Sequence, residues 1–296
     1  MIRYVQYKDI DRLQWDACID RAVNGMPYAY AWYLDIVAEK HWNALVLDAY
    51  QAVFPVPVTK KFFIKKAYQP FFTQQLGLFY HRAEDAQLLT EFLQELDKHF
   101  RTWRVQCNTG NDLSGVLYPV HRRVTHHVDL SGSYPDLEKA YSTQIKRNLK
   151  RAQEYPFQIV ELHSSELLIQ LRKKHLAHVI RQGRQKAEDT LRLGKLIDAA
   201  LQRGKGRVLS VAGPGGDVQS AVFLLNSNGK LMYLSAVSTE TGKKMQAMTF
   251  LIDHIFQTYA ASGLTFDFEG SMVPGLARYY KGFGGMEVPY WVVYNP

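Results

Sequence analysis

Apolar residues at Leu137, Ala140-Tyr141, Ile145, Leu149 and Ala152 recur every three to four positions, which predicts one amphipathic helix beginning at Ser133. Asp136 stands three residues after Ser133, the spacing of a capping box. A strand is expected over Phe157–Leu162, then helices over Ser165–Ile180 and Glu188–Arg203, the second ended by Gly204. Three strand-like runs follow, Arg207–Ala212, Val218–Leu225 and Lys230–Val237. They are separated by Gly213–Asp217 and by Asn226–Gly229, whose Asn-Gly dipeptide is a strong hairpin signal. The pattern closes with a helix over Met245–Ala261, a strand over Leu264–Phe268, a short helix opened by Pro274 and a last strand over Met286–Asn295.

The first half reads in the same order. A strand at Ile2–Tyr7 precedes helices over Asp9–Arg21 and Tyr30–Lys40, then strands at Ala44–Tyr50, Ala52–Val58, Phe62–Tyr68 and Leu76–Tyr80. A helix over Asp85–Phe100 and strands at Trp103–Cys107 and Val124–Leu130 complete it. Pro55 and Pro57 donate no ladder hydrogen bond, so their strand should be an edge or carry a bulge. The fold class is α/β (α+β): two tandem units, each a mixed, mostly antiparallel sheet flanked by helices. The division expected is 1–130 and 131–285.

At 296 residues the chain has room for two domains. Aromatic residues make up 13% of the chain, which suits either a thick core or a groove for an extended ligand. Thirty-six Lys and Arg against 28 Asp and Glu favour anionic, phosphate-bearing partners. Cys18 and Cys107 lie far apart without metal spacing, so neither a zinc site nor a disulfide framework is expected. With no leader-like segment and no apolar run near 20 residues, the expectation is a cytoplasmic protein without a membrane span. Nothing in the sequence sets the oligomeric state.

Four places can carry chemistry, each with a plainer reading beside it. The loop Ser238–Lys244, with Gly242 and Lys243, leads into a helix, where free N–H groups suit an anion; it also reads as a solvated turn. Alternation puts Asp267 and Glu269 on one strand face, to position or deprotonate an amine or to form an end-of-strand salt bridge. Arg278, Tyr279, Tyr280 and Lys281 ride a short helix ended by Gly282-Phe283-Gly284-Gly285. There Lys281 can face a developing oxyanion or complement the helix dipole. Lys146, Arg147, Lys150 and Arg151 repel one another at i,i+4 spacing, which fits phosphate binding or a solvated face. His126 and His127 alternate across a strand and cannot share one ligand.

The residues Phe266-Asp267-Phe268-Glu269-Gly270-Ser271, then Gly275 to Arg278, then Tyr280-Lys281-Gly282-Phe283-Gly284, resemble the C-terminal part of the FemAB/FemX-like branch of the GNAT superfamily. Lys146–Ala152 resembles that branch's basic helix. The resemblance implies an acyltransferase or aminoacyltransferase with an amine acceptor, in the best-known members a peptidoglycan precursor. Its donor would be aminoacyl-tRNA or acyl-CoA, used as substrate, with no tightly bound cofactor and no metal. It implies that Lys281 stabilises the transition state, that Tyr280 shapes the pocket, and that the strand 286–296 can return to the first domain. Two departures stand out: only Gly242 remains of the glycine-rich pyrophosphate loop, and no long helical arm is inserted in the second half.

Overall fold

The computed structural model describes residues 1–61, 64–176 and 186–296. The chain divides into two compact units, Met1–Arg123 with Pro289–Pro296, and Val124–Val288.

In the first unit, β1 (Ile2–Val5), β2 (Trp42–Leu47), β3 (Ala52–Lys61), β4 (Ile64–Ala67), β6 (Trp103–Cys107) and β13 (Met286–Asn295) lie side by side in that order. The short β5 (Phe79–Tyr80) adds to β3. The helices are α1 (Arg12–Arg21), α2 (Ala31–Val37) and α3 (Leu89–Asp97). Helix α1 starts where the Asp11 carboxylate caps the N–H groups of Leu13 and Gln14, later than the expected Asp9. Strand β3 is not a sheet edge: it pairs β2 along Ala52–Pro57. On its other side β5 takes Ala52 and Val53, and β4 begins at Val58. Pro55 and Pro57 therefore fall in the break between two ladders, where the missing N–H groups cost no pairing. Phe54, Phe92, Leu93, Trp103 and Val293 centre an apolar core. The expected strand Phe62–Tyr68 extends in part outside the described residues, as does the end of the helix expected over Ser165–Ile180.

The second unit has the strand order β7 (Val120–Asp129), β12 (Thr265–Asp267), β11 (Lys230–Ser238), β10 (Val218–Ser227), β9 (Gly206–Ala212), β8 (Gln158–Leu162). Its helices are α4 (Tyr134–Lys139), α5 (Thr143–Ala152), α6 (Glu166–His175), α7 (Ala187–Gln202), α8 (Glu240–Lys244), α9 (Ala247–Tyr259) and α10 (Pro274–Gly282). The meander forms as expected, and Asn228 and Gly229 both take positive φ at its hairpin, 53° and 70°.

The single helix expected from Ser133 is two helices. Ser142 stops the first and caps the second, accepting from the Ile145 N–H, while its own N–H donates to the Gly282 carbonyl. The apolar stripe persists because both helices turn the same face to the core. A carboxylate fixes them there: Asp253 of α9, buried, accepts from the hydroxyls of Tyr134 at 2.8 Å and Tyr141 at 3.0 Å. Burial raises its pKa against those hydrogen bonds.

Candidate active site

Strands β11 and β12 run parallel and pair at only three positions, Lys230↔Thr265, Leu231↔Phe266 and Met232↔Asp267. Strand β11 continues to Ser238, whereas β12 stops at Asp267 and the chain turns away. Glu269 and Gly270 adopt φ of 61° and 73°, a conformation glycine accepts freely and glutamate only at a cost. The Asp267 carboxylate holds that turn by accepting the Glu269 N–H at 2.9 Å. The two neighbouring strands thus part at Met232 and Asp267, near the C-terminal end of β12.

The rings of Tyr233, Phe268 and Tyr280 gather where the strands part. Tyr280 stacks on Phe268 with centroids 4.3 Å apart and meets Tyr233 edge-on at 6.3 Å. Tyr280 is delivered by α10, which Pro274 begins and whose contact with α5 needs Gly282: a Cβ there would lie 2.8 Å from the Ile145 side chain. Burial pushes the Tyr280 phenol up to about 12, so it stays protonated through neutral pH. Lys281 follows in the last turn. Its side chain is half exposed and its ammonium lies 2.9 Å from the carboxylate of Glu287 on β13.

The two carboxylates expected to share one strand face diverge. Asp267 is fully buried, hydrogen-bonded by the Thr125 hydroxyl, and 3.1 Å from His127 Nε2 at an angle that does not align the N–H. Burial alone would raise its pKa, but His127, Thr125 and the charge of Lys230 outweigh it and hold the carboxyl below its usual range. Glu269 has left the strand and is partly exposed. Phe266 and Phe268 do share a face, both in the core.

The remaining expected residues lie on separate elements. Lys146, Arg147, Lys150 and Arg151 are exposed along α5, while Ile145, Leu149 and Ala152 face inward. Arg278 is exposed on α10. The loop before α9 is not an open run of N–H groups, because residues 240–244 form the short helix α8 with Thr239 as its cap. The Gly242 N–H donates to the Thr239 hydroxyl, and Lys243 pairs with Glu240 on the surface. Gly242 is needed for a close approach, since a Cβ would meet the Gln219 carbonyl oxygen at 2.2 Å. Gly242→Ala is expected to force β10 and α8 apart and cost about 1–3 kcal/mol. Thermal unfolding should show a lowered Tm, and an unchanged Tm would mean the loop can shift freely.

One residue carried no site reading in the sequence. His126 is fully buried, and neither ring nitrogen has a hydrogen-bond partner among the described residues. Its ring meets Tyr280 at 6.0 Å. Burial lowers its pKa, the carboxylates of Glu287 and Asp267 opposing and the charges of Lys281 and His127 assisting. In the unfolded chain the imidazole takes up its proton near pH 6.5; in the folded protein it does so only at lower pH. Stability should therefore fall as the pH drops from about 7 toward the folded value. In His126→Phe, urea titrations at pH 7 and pH 5 should give a smaller difference than in the natural chain; an equal difference would assign the acid sensitivity elsewhere. The alternation with His127 foretold the opposite faces of the pair but not this isolation, which depends on Tyr280 and Gly285 arriving from distant sequence.

Residues 139–281 match the family described as acetyltransferase (GNAT) domain. Among solved structures, the fold is similar to that of FemX, with a TM-score of 0.69 at 12% identity over 95% of this chain and 96% of that one. It is also similar to L-PGS from Bacillus licheniformis, with a TM-score of 0.58 at 11% identity over 97% and 92% of the two chains. A conserved protein of unknown function from Bacteroides thetaiotaomicron VPI-5482 aligns over 100% of both chains, with a TM-score of 0.59 at 12% identity. No protein of curated function matches the sequence.

Proposed function

From a chain whose residues 139–281 are a GNAT-type domain, within a FemX-like fold, we propose an acyl or aminoacyl transferase that moves its group from an activated donor to an amine. The observation that carries this reading is the parting of β11 from β12 after three paired positions, with Tyr280 brought against Phe268 and Tyr233 there by α10. A donor carbonyl placed there can hydrogen-bond to the freed edge of β11. The amine nitrogen attacks the carbonyl carbon, forming a C–N bond and a tetrahedral oxyanion. Collapse breaks the C–O bond of an aminoacyl ester or the C–S bond of a thioester, and the leaving oxygen or sulfur takes the proton released by the amine.

In this scheme Lys281 stabilises the oxyanion. It must exchange Glu287 for the substrate, and because the pair is half exposed that exchange costs about 1 kcal/mol or less. Glu269 is the carboxylate that orients the amine. Asp267, enclosed by Thr125 and His127, fixes the turn that presents Glu269. Lys146, Arg147, Lys150 and Arg151 bind phosphates of a substrate, assisted by Arg278. The closed Gly242 turn removes the usual support for a CoA pyrophosphate, which favours aminoacyl-tRNA over acyl-CoA as donor. By the same resemblance, the amine is assigned to a cell-wall precursor, and the cytoplasm is the compartment that supplies such a donor.

A second reading is a non-catalytic module that binds a phosphate-bearing or peptide ligand. It draws on the ring cluster of Tyr233, Phe268 and Tyr280, which fills one side of the parted strands. A thermal-shift panel of acyl-CoAs, charged tRNA and nucleotide-linked amines, followed by a labelled-transfer assay on any binder, tests both. Stabilisation with transfer of label supports the enzyme. Stabilisation without transfer supports the module, and no stabilisation by any donor contradicts the first reading.

A further inference from the structure

The first unit holds a cavity of about 870 Å³ that the acyl-transfer reading does not use. Its walls come from β4, β6, the first residues of β7 and the last residues of β13, all within Met1–Arg123 and Pro289–Pro296. Alternation along β6 explains its chemistry. Trp103, Val105 and Cys107 are buried in the core, so Arg104 projects from the opposite face. Lys66, His121 and Arg123 line the same cavity, and no Asp or Glu does among the described lining residues. Three permanent cations and an imidazole therefore share one concavity without a counter-charge in its wall.

One of those cations bears a specific deficit. Arg123 Nε is buried from solvent and has no acceptor among the described residues. A buried guanidinium N–H left without a partner costs on the order of 1–3 kcal/mol, more for a charged group. Guanidinium groups match phosphoryl oxygens in a two-point geometry, while Lys66 adds a compact charge. Tyr68 and Tyr294, both half-buried in the same wall, offer flat apolar surface beside the cations. The volume lies in the upper range of small-molecule sites and well above what a lone ion fills.

We propose that this cavity is a binding site for a small phosphate-bearing molecule, its phosphoryl oxygens held by Lys66, Arg104 and Arg123 and its less polar part lying against Tyr68 and Tyr294. The site is independent of the acyl-transfer reading: it belongs to the other unit, and its test reads binding alone.

The test is calorimetric titration of the intact chain with inorganic pyrophosphate at fixed ionic strength. A site that depends on the cavity's cations is expected. Arg104→Gln, at an exposed position that leaves the core untouched, should weaken binding about tenfold or more, and Arg123→Gln should do the same if its Tm shows that it folds. The double variant Lys173→Gln, Lys174→Gln, at exposed positions of α6, should bind as the natural chain does. Absence of binding at millimolar pyrophosphate, an affinity unchanged in Arg104→Gln, or a loss seen only in the α6 variant would each overturn the assignment. Citrate binding as tightly as pyrophosphate would overturn its phosphoryl specificity.

Discussion

Lys281→Ala is expected to lower the rate of acyl transfer about 100-fold or more while leaving the fold intact. The side chain is half exposed and its ion pair with Glu287 lies at the surface, so truncation removes little stability, about 1 kcal/mol or less. What it removes is a charge positioned beside Tyr280, which the proposed mechanism uses only once negative charge develops on the donor oxygen. Loss of such a donor typically costs 10²–10³ in turnover. Single-turnover transfer by equal amounts of both proteins gives the number. Lys281→Arg distinguishes placement from charge alone: a planar guanidinium on a longer stem should restore only part of the rate. A rate within a few-fold of the natural chain for Lys281→Ala would remove the residue from the mechanism.

Asp267→Ala is expected to act in the opposite way, through stability. Its carboxylate accepts from the Thr125 hydroxyl and the Glu269 N–H and stands against His127, all at a fully buried position. Removing one member of such a buried charged network costs about 3–5 kcal/mol, because the partners are left without acceptors. Urea unfolding should show that loss at pH 7. The sign of the pH dependence follows from the depressed folded pKa. Asp267 contributes its stability above the unfolded value near 4, and the contribution is lost as the pH falls through the lower folded value. The difference between Asp267→Ala and the natural chain should therefore hold from pH 7 to about 5 and shrink at strongly acid pH. A variant that keeps its stability but loses transfer would make Asp267 the base.

The meander, the helix α9 and the start of α10 were legible in the sequence because local signals agree there: Asn228-Gly229 fixes a hairpin, Gly263 follows a helix, and Pro274 opens one. Trp103–Cys107 was read to the residue. The break at Ser142 was not, since the apolar stripe runs unbroken through it and the stop depends on a hydrogen bond to Gly282, 140 residues away along the chain. Gly242 misled for a related reason. A lone glycine before a helix looks like an anion turn, but what requires it is the Gln219 backbone, a neighbour only in the folded sheet. Alternation placed Asp267 and Glu269 on one face and held only as far as β12 lasts; the left-handed turn at Glu269 then separated a buried carboxylate from a partly exposed one. The basic stripe on α5 was readable because exposure there follows from helical period alone.

Hydrogen exchange with and without an acyl donor addresses the central claim most directly, since backbone N–H groups on the unpaired edge of β11 exchange readily unless a ligand accepts from them. Charged tRNA carrying a non-hydrolysable aminoacyl linkage, and acyl-CoA thioether in a parallel sample, serve as donors. The account predicts slowed exchange in peptides covering 233–238 and 268–272 with one of the two donors, and no change in α7. Slowed exchange confined to other segments, by a donor that the protein demonstrably uses, would contradict it.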